Sequence, residues 1–242
     1  MPQTEWKKIF RWSFVMHNRS AFPESEREQE GQKLTAFLTQ VMQRRKEEPG
    51  SDLASAMIHH GSLSDEEIVG ALAMMSIAGN ELLAGFLAGG VHTILTHPAA
   101  RAAVPNEGPL PKRLVEELLR YDALQVFALP AYRARGHHEI GGVALKPGDT
   151  VLACLTSANR DPRIFDRPGH FDPDRAENPH LAFGHGAHYC AGAFLARLVG
   201  EEFFPRFFKR WPNAQGRDVH HVAWGMDDFT VRRIHNLTVA LG

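Results

Sequence analysis

The segment Phe183-Gly184-His185-Gly186-Ala187-His188-Tyr189-Cys190-Ala191-Gly192, running directly into Ala193-Phe194-Leu195-Ala196-Arg197, constrains this chain more than any other. Its glycines permit positive φ and close backbone approach, so the chain turns tightly here. The turn delivers one cysteine to the start of a helix. There the sulfur meets the positive end of the helix dipole and free backbone N–H groups, a setting that favours a thiolate. A thiolate held in a rigid loop is a metal ligand or a nucleophile. The chain has two cysteines, Cys154 and Cys190, and only one lies in the loop. A zinc site of the paired-cysteine kind is therefore not expected. A single soft ligand to a metal carried by a cofactor fits better, and haem iron held by cysteine thiolate is the main example.

The segment resembles the cysteine-ligand loop of the cytochrome P450 haem-thiolate enzymes, bacterial soluble type, which reads Phe-Gly-x-Gly-x-His-x-Cys-x-Gly followed by Leu-Ala-Arg. Every fixed position is present. The match is long and gapless, which argues against an incidental cysteine in a glycine-rich loop. The resemblance continues along the chain in the family's order. Glu117-Leu118-Leu119-Arg120 matches the family's Glu-x-x-Arg motif, and at i, i+3 its two charged side chains meet on one helix face. Taken alone, such a pair is a surface ion pair worth roughly a few tenths of a kcal/mol. In the family an arginine ahead of the cysteine loop completes it, and Arg175 of Phe171-Asp172-Pro173-Asp174-Arg175 is the matching candidate. The implied role of the three is structural: a buried carboxylate with two guanidiniums is costly to desolvate but fixes one arrangement.

The segment Ala158-Asn159-Arg160-Asp161-Pro162 also matches. The resemblance further implies haem b (iron protoporphyrin IX), with Cys190 on the iron and Arg133 and His188 on the propionates. Phe183, Gly184, Gly192 and, in a long apolar helix, Ala78 are the other positions at which it implies contact with the cofactor. That helix contains the first departure. The family has Ala-Gly-x-Asp/Glu-Thr where this chain has Ala78-Gly79-Asn80-Glu81-Leu82. The acid is present, but Leu82 stands at the threonine that helps protons reach bound oxygen, and it has no hydrogen-bonding group. Asn80 and Glu81 are left as the polar, candidate catalytic residues of the distal helix.

The second departure is length. The 242 residues resemble only the C-terminal part of the family's chain. The early strands and helices, the loop that shapes much of the substrate pocket and much of the electron-donor surface have no counterpart. The expectation is an N-terminally truncated form, a single domain over residues 1–242, with an apolar surface that a second copy or a partner protein covers.

The remaining chain reads as mainly α with a minor β part. Helices are expected over Glu5 to Met16, Glu24 to Glu48 and Asp52 to His60, with a break from Arg19 to Pro23. Ser64-Asp65-Glu66-Glu67 is a capping box opening a helix that runs to about His97. From Ile68 to Thr96 the only carboxylate, Lys or Arg is Glu81. That length would span a bilayer. The central acid and the absence of flanking cationic anchors instead point to a helix surrounded by protein. Short helices follow at Ala99 to Val104 and Pro111 to Tyr121. Strands are expected at 126–129, 139–145, 150–155, 229–231 and 237–241, and a helix from Ala191 to Trp211. The paired histidines His59-His60, His137-His138 and His220-His221 point to different sides of their elements and read as surface residues, not a metal site.

A formal net charge of −1 leaves no electrostatic footprint for nucleic acid or an anionic membrane. Two cysteines and an N-terminus, Met1-Pro2-Gln3-Thr4-Glu5-Trp6, without an apolar signal region fit the cytoplasm. The first functional reading is a haem-thiolate oxidoreductase of the monooxygenase type, acting on an apolar small molecule in natural-product biosynthesis. With Leu82 in place of threonine, peroxide-driven or rearrangement chemistry needs fewer of the missing parts. The alternatives are a haem-free descendant that promotes a cyclisation by shape, with Glu81, His185 or His188 as acid or base, and a helper subunit of another enzyme. The intact cysteine argues against both.

Overall fold

A computed structural model describes residues 3–18, 21–217, 222, 224–226 and 230–242. The expectations placed on Met1, Pro2, Arg19, His220-His221 and Phe229 lie outside the described residues. The chain divides into two compact units, Met1–Ala84 and Gly85–Gly242.

The first unit is helical: α1 Gln3–His17, α2 Glu24–Glu47, α3 Leu53–His60 and the opening turns of α4, Asp65–Thr96. Leu34, Leu38 and Met42 recur every fourth residue on α2 and are buried against Ile68 and Val69 of α4. That stripe is the apolar periodicity of an otherwise charged helix. Asp52 caps α3 by accepting the Ser55 N–H at 3.0 Å, and Gly61, with φ of 72°, ends it in the left-handed region. The capping box at α4 forms as read: the Ser64 N–H donates to Glu67 at 2.8 Å and the Glu67 N–H donates to Ser64 Oγ at 3.2 Å.

The helix α4 is long and apolar enough to cross a membrane by length and composition. Only 17% of its most apolar stretch is buried, so the helix is not surrounded by protein as its composition implies. Its first turns pack on α2. In its middle, Ala78 and Gly79 are exposed, and a Cβ added at Gly70 or Gly79 would touch nothing within 4 Å.

In the second unit the last turns of α4 meet α8, Ala193–Arg210, which also packs on α6, Lys112–Tyr121; the short α5, Pro98–Ala103, lies between α4 and α6 in sequence. Two glycines permit the close approach. A Cβ at Gly90 would lie 2.2 Å from the Phe204 ring, and one at Gly200 would lie 3.0 Å from Phe86. Pro205 sits inside α8 and lacks the N–H that would bond the carbonyl of Glu201. That carbonyl accepts instead from the Leu110 N–H at 2.8 Å, which ties the start of α6 to α8.

Among the described residues the β part is four separate antiparallel pairs. β1 (Tyr132–Arg133) pairs with β4 (Thr150–Val151), and β2 (His138–Ile140) with β3 (Val143–Leu145) in a hairpin across Gly141-Gly142. β5 (Gln215–Arg217) pairs with β8 (Thr238–Ala240), and β6 (Trp224–Met226) with β7 (Arg232–Ile234). Residues 126–129 are not a strand. The backbone there switches partners, from Val231 at Gln125 to Cys154 at Phe127, so no continuous ladder forms. The expected strand 150–155 stops at Val151, and Leu155 opens a one-turn helix, α7 (Leu155–Ala158). Strands β5, β6 and β7 are three residues each and lack apolar alternation, so no sequence signal announces them.

Candidate functional site

The firmest geometry in the molecule surrounds Glu117 and Arg120 on α6, both fully buried. A guanidinium carries five N–H donors, and every one of Arg120's is used. Two go to the Glu117 carboxylate, each at 2.7 Å. The others go to the carbonyls of Asn159 at 3.0 Å, Pro168 at 2.8 Å and His170 at 3.2 Å. Glu117 in turn accepts from Arg175 Nε at 3.0 Å, the Asp172 N–H at 2.9 Å and the Asn178 side chain at 3.1 Å. The structure thus joins all three residues that the sequence offered as a structural cluster. Their bonds bind the irregular segment 159–178 to α6. Asn159, fully buried, passes the constraint on by accepting the Leu181 N–H at 2.7 Å, two residues before the cysteine loop.

The loop then turns through Gly184 and Gly186, with φ of 73° and 75°. Side chains other than glycine rarely adopt these values. Gly184 N–H donates to Leu181 at 2.9 Å, Tyr189 N–H to Gly186 at 3.0 Å and Cys190 N–H to Phe183 at 2.9 Å. A single 3₁₀ turn, Gly186–His188, lies between them, and Gly192 is the N-cap of α8. The whole run from His185 to Gly192 is exposed, Cys190 and its free thiol included. After the loop, α8 leaves Phe194 79% and Leu195 56% exposed.

A second carboxylate grips the same loop. Glu116 accepts from Arg197 Nε at 2.7 Å, Arg197 Nη2 at 2.9 Å and His180 Nε2 at 2.9 Å. Burial alone would raise its carboxyl, but these bonds hold it well below the usual range, at about 2. The Arg197 guanidinium also lies 4.7 Å over the Phe183 ring and donates to Tyr189 Oη at 3.2 Å. Sequence reading named Arg197 only as the last residue of the loop motif and did not single out Glu116. Their one available signal was that adjacent Glu116 and Glu117 must serve different faces of α6.

Among the other predicted site residues, Arg133 lies on β1, and its side chain, like that of His188, is exposed. Neither makes a side-chain hydrogen bond or ion pair among the described residues. Ala78, Asn80 and Glu81 belong to the first unit, with Glu81 buried and Ala78 exposed. One titratable residue was missed entirely. Asp122, 3% exposed, lies 2.5 Å from Thr93 Oγ1. Burial pushes its carboxyl up to about 7, against the pull of Thr93, Arg232 and Arg160.

A family model described as Cytochrome P450 matches residues 3–221. This chain belongs to the cytochrome P450 family. Among its relatives, 6-deoxyerythronolide B hydroxylase of Saccharopolyspora erythraea is 34% identical across 92% of this chain and 58% of its own. The polyketide biosynthesis cytochrome P450 PksS of Bacillus subtilis is 31% identical across 100% of this chain and 60% of its own. The crystal structure of the LnmA cytochrome P450 hydroxylase from the leinamycin biosynthetic pathway of Streptomyces atroolivaceus superposes with a TM-score of 0.87. It is 31% identical and covers 99% of this chain and 63% of that one. The mainly helical fold with small sheets is thus the P450 fold, and the chain spans between half and two thirds of these relatives' length. The P450 family implies haem, and the second unit fits such a group. It offers an accessible thiol on a braced loop, uncommitted donors at Arg133 and His188, and uncovered apolar side chains on the cysteine-bearing segment.

Proposed function

We propose that this chain carries the haem-thiolate site of a P450-type oxidoreductase that acts on an apolar small molecule in natural-product biosynthesis. The observation that carries the reading is the exposed thiol of Cys190, a residue whose backbone N–H donates to the carbonyl of Phe183 just ahead of α8. Cysteine-ligated haem supplies oxygen or peroxide activation, because the thiolate pushes electron density toward the iron. Cys190 would hold the metal, and Arg133 and His188 would pair with the propionates through charge-assisted hydrogen bonds. Phe183, Gly184 and Gly192 shape the loop, and by the family resemblance Ala78 of α4 would be a further cofactor contact. By the same resemblance Glu81 and Asn80 of α4 would hold and move a proton. Leu82 has no hydroxyl to assist, which favours peroxide-driven or rearrangement chemistry over reductase-driven hydroxylation. The polyketide relatives support the substrate class.

The test is the absorption spectrum of protein expressed with haem, ferric and then reduced under carbon monoxide, with Cys190→Ser as control. A stoichiometric Soret band with the red shift of thiolate ligation, absent from the variant, is the expected result. A folded, colourless protein would overturn the reading and return the question to a haem-free role. The same reading places the protein in the cytoplasm, associated with a second copy or a partner chain. The uncovered apolar side chains of α4 and α8 support that association, and the mass in solution at rising concentration checks it.

A further inference from the structure

We infer that Glu116 is a positioning residue for Cys190, acting through Arg197 and His180 to clamp both flanks of the cysteine loop to α6. The geometry stands by itself, and the consequence for iron ligation rests on the reading of Cys190 as the haem ligand. Three contacts converge on the loop from one carboxylate. Arg197 presents a two-pronged fork to Glu116, a match of planar groups that lysine cannot reproduce. The same guanidinium covers Phe183 on the near flank and bonds Tyr189 on the far flank. His180 completes the grip. Its Nδ1 accepts the Ala182 N–H at 3.2 Å, so the ring proton sits on Nε2 and points at Glu116.

The cysteine is coupled directly to this clamp, because its own N–H donates to the carbonyl of Phe183. When Arg197 is fixed, Phe183 and Tyr189 cannot separate, and the Cys190 backbone keeps one position. Releasing Arg197 from Glu116 frees both flanks together, and the sulfur loses its fixed point. The Glu117 cluster cannot substitute for this. Its bonds end at Asn159 and Leu181, before the glycine turn begins.

Two readouts test the inference in Glu116→Gln and Arg197→Lys. The first needs no haem: exchange of the Cys190 amide proton, followed by NMR. Loss of a charge-assisted hydrogen bond in the clamp is expected to speed this exchange by about tenfold or more, with global stability measured in parallel. The second is spectroscopic. In the haem-loaded, reduced, carbon-monoxide-bound variants, the thiolate band is expected to lose intensity to a band without the thiolate red shift. Glu202→Gln, which removes an exposed pair with Arg206 on α8, should match the wild type in both. Wild-type amide exchange in Glu116→Gln and Arg197→Lys would overturn the clamp. If Glu116→Gln does not fold, Arg197→Lys, which keeps the charge, decides alone. If the wild type never takes up haem, the haem reading falls while the exchange experiment still decides the clamp.

Discussion

Replacing Asp122 with asparagine is expected to stabilise the protein at alkaline pH and to leave it nearly unchanged in acid. The carboxyl is buried, and its proton is held to about 7 instead of 3.8. The unfolded chain releases that proton near 3.8 and the folded protein near 7. Between those values the folded state binds the extra proton, so stability falls as pH rises through the window. At about 1.4 kcal/mol per tenfold in proton affinity, the full penalty is on the order of 4 kcal/mol above pH 7. The balance already includes the Arg232 and Arg160 guanidiniums, which favour the charged form, and Glu117, which opposes it. An asparagine in this place would be neutral at every pH, and its amide oxygen can still accept the Thr93 hydroxyl. Urea unfolding of both proteins from about pH 4 to about pH 8, followed by tryptophan fluorescence and circular dichroism, gives the comparison. The variant should gain steadily over the wild type across that range. A difference that does not change with pH would refute the argument, because it would mean that the folded protein does not hold the Asp122 proton.

Gly90→Ala should destabilise the second unit by about 1–3 kcal/mol, the usual cost of overpacking. Its Cβ would lie 2.2 Å from the Phe204 ring, and that ring is fully buried. Thermal unfolding checks this, and Phe204→Leu should recover part of the loss by making room. Arg175→Ala strips one guanidinium from a fully buried Glu117, and breaking a buried pair costs about 3–5 kcal/mol. The expected result is a large drop in the urea midpoint, with faster amide exchange across residues 166–178.

Much of the helical frame was legible because its signals are local. The Ser64–Glu67 box, the Asp52 cap and the fourth-residue spacing of Leu34, Leu38 and Met42 involve residues a few positions apart, and backbone geometry brings them together without help. The motif residues were legible for another reason: the glycines and cysteine of the loop and the Glu-x-x-Arg pair have fixed spacings that the family shares. Strand pairing was less legible. Whether Gln125 pairs with Val231 and Phe127 with Cys154 depends on chain segments far apart in sequence, and three-residue strands carry no period. Composition also misled at α4. An apolar helix need not be covered, since coverage depends on which neighbours reach it.

By itself the sequence determined the family, the helical frame and the cysteine loop, because each is written in contiguous residues whose spacing carries the meaning. Only the tertiary structure decided which charges work together. Glu116 and Glu117 are neighbours in the chain, yet one reaches Arg197 and the other Arg175. Asp122 owes its raised carboxyl to burial beside Thr93. Desolvation and hydrogen bonding act through space, over ångströms set by packing, and no spacing along the chain encodes those distances.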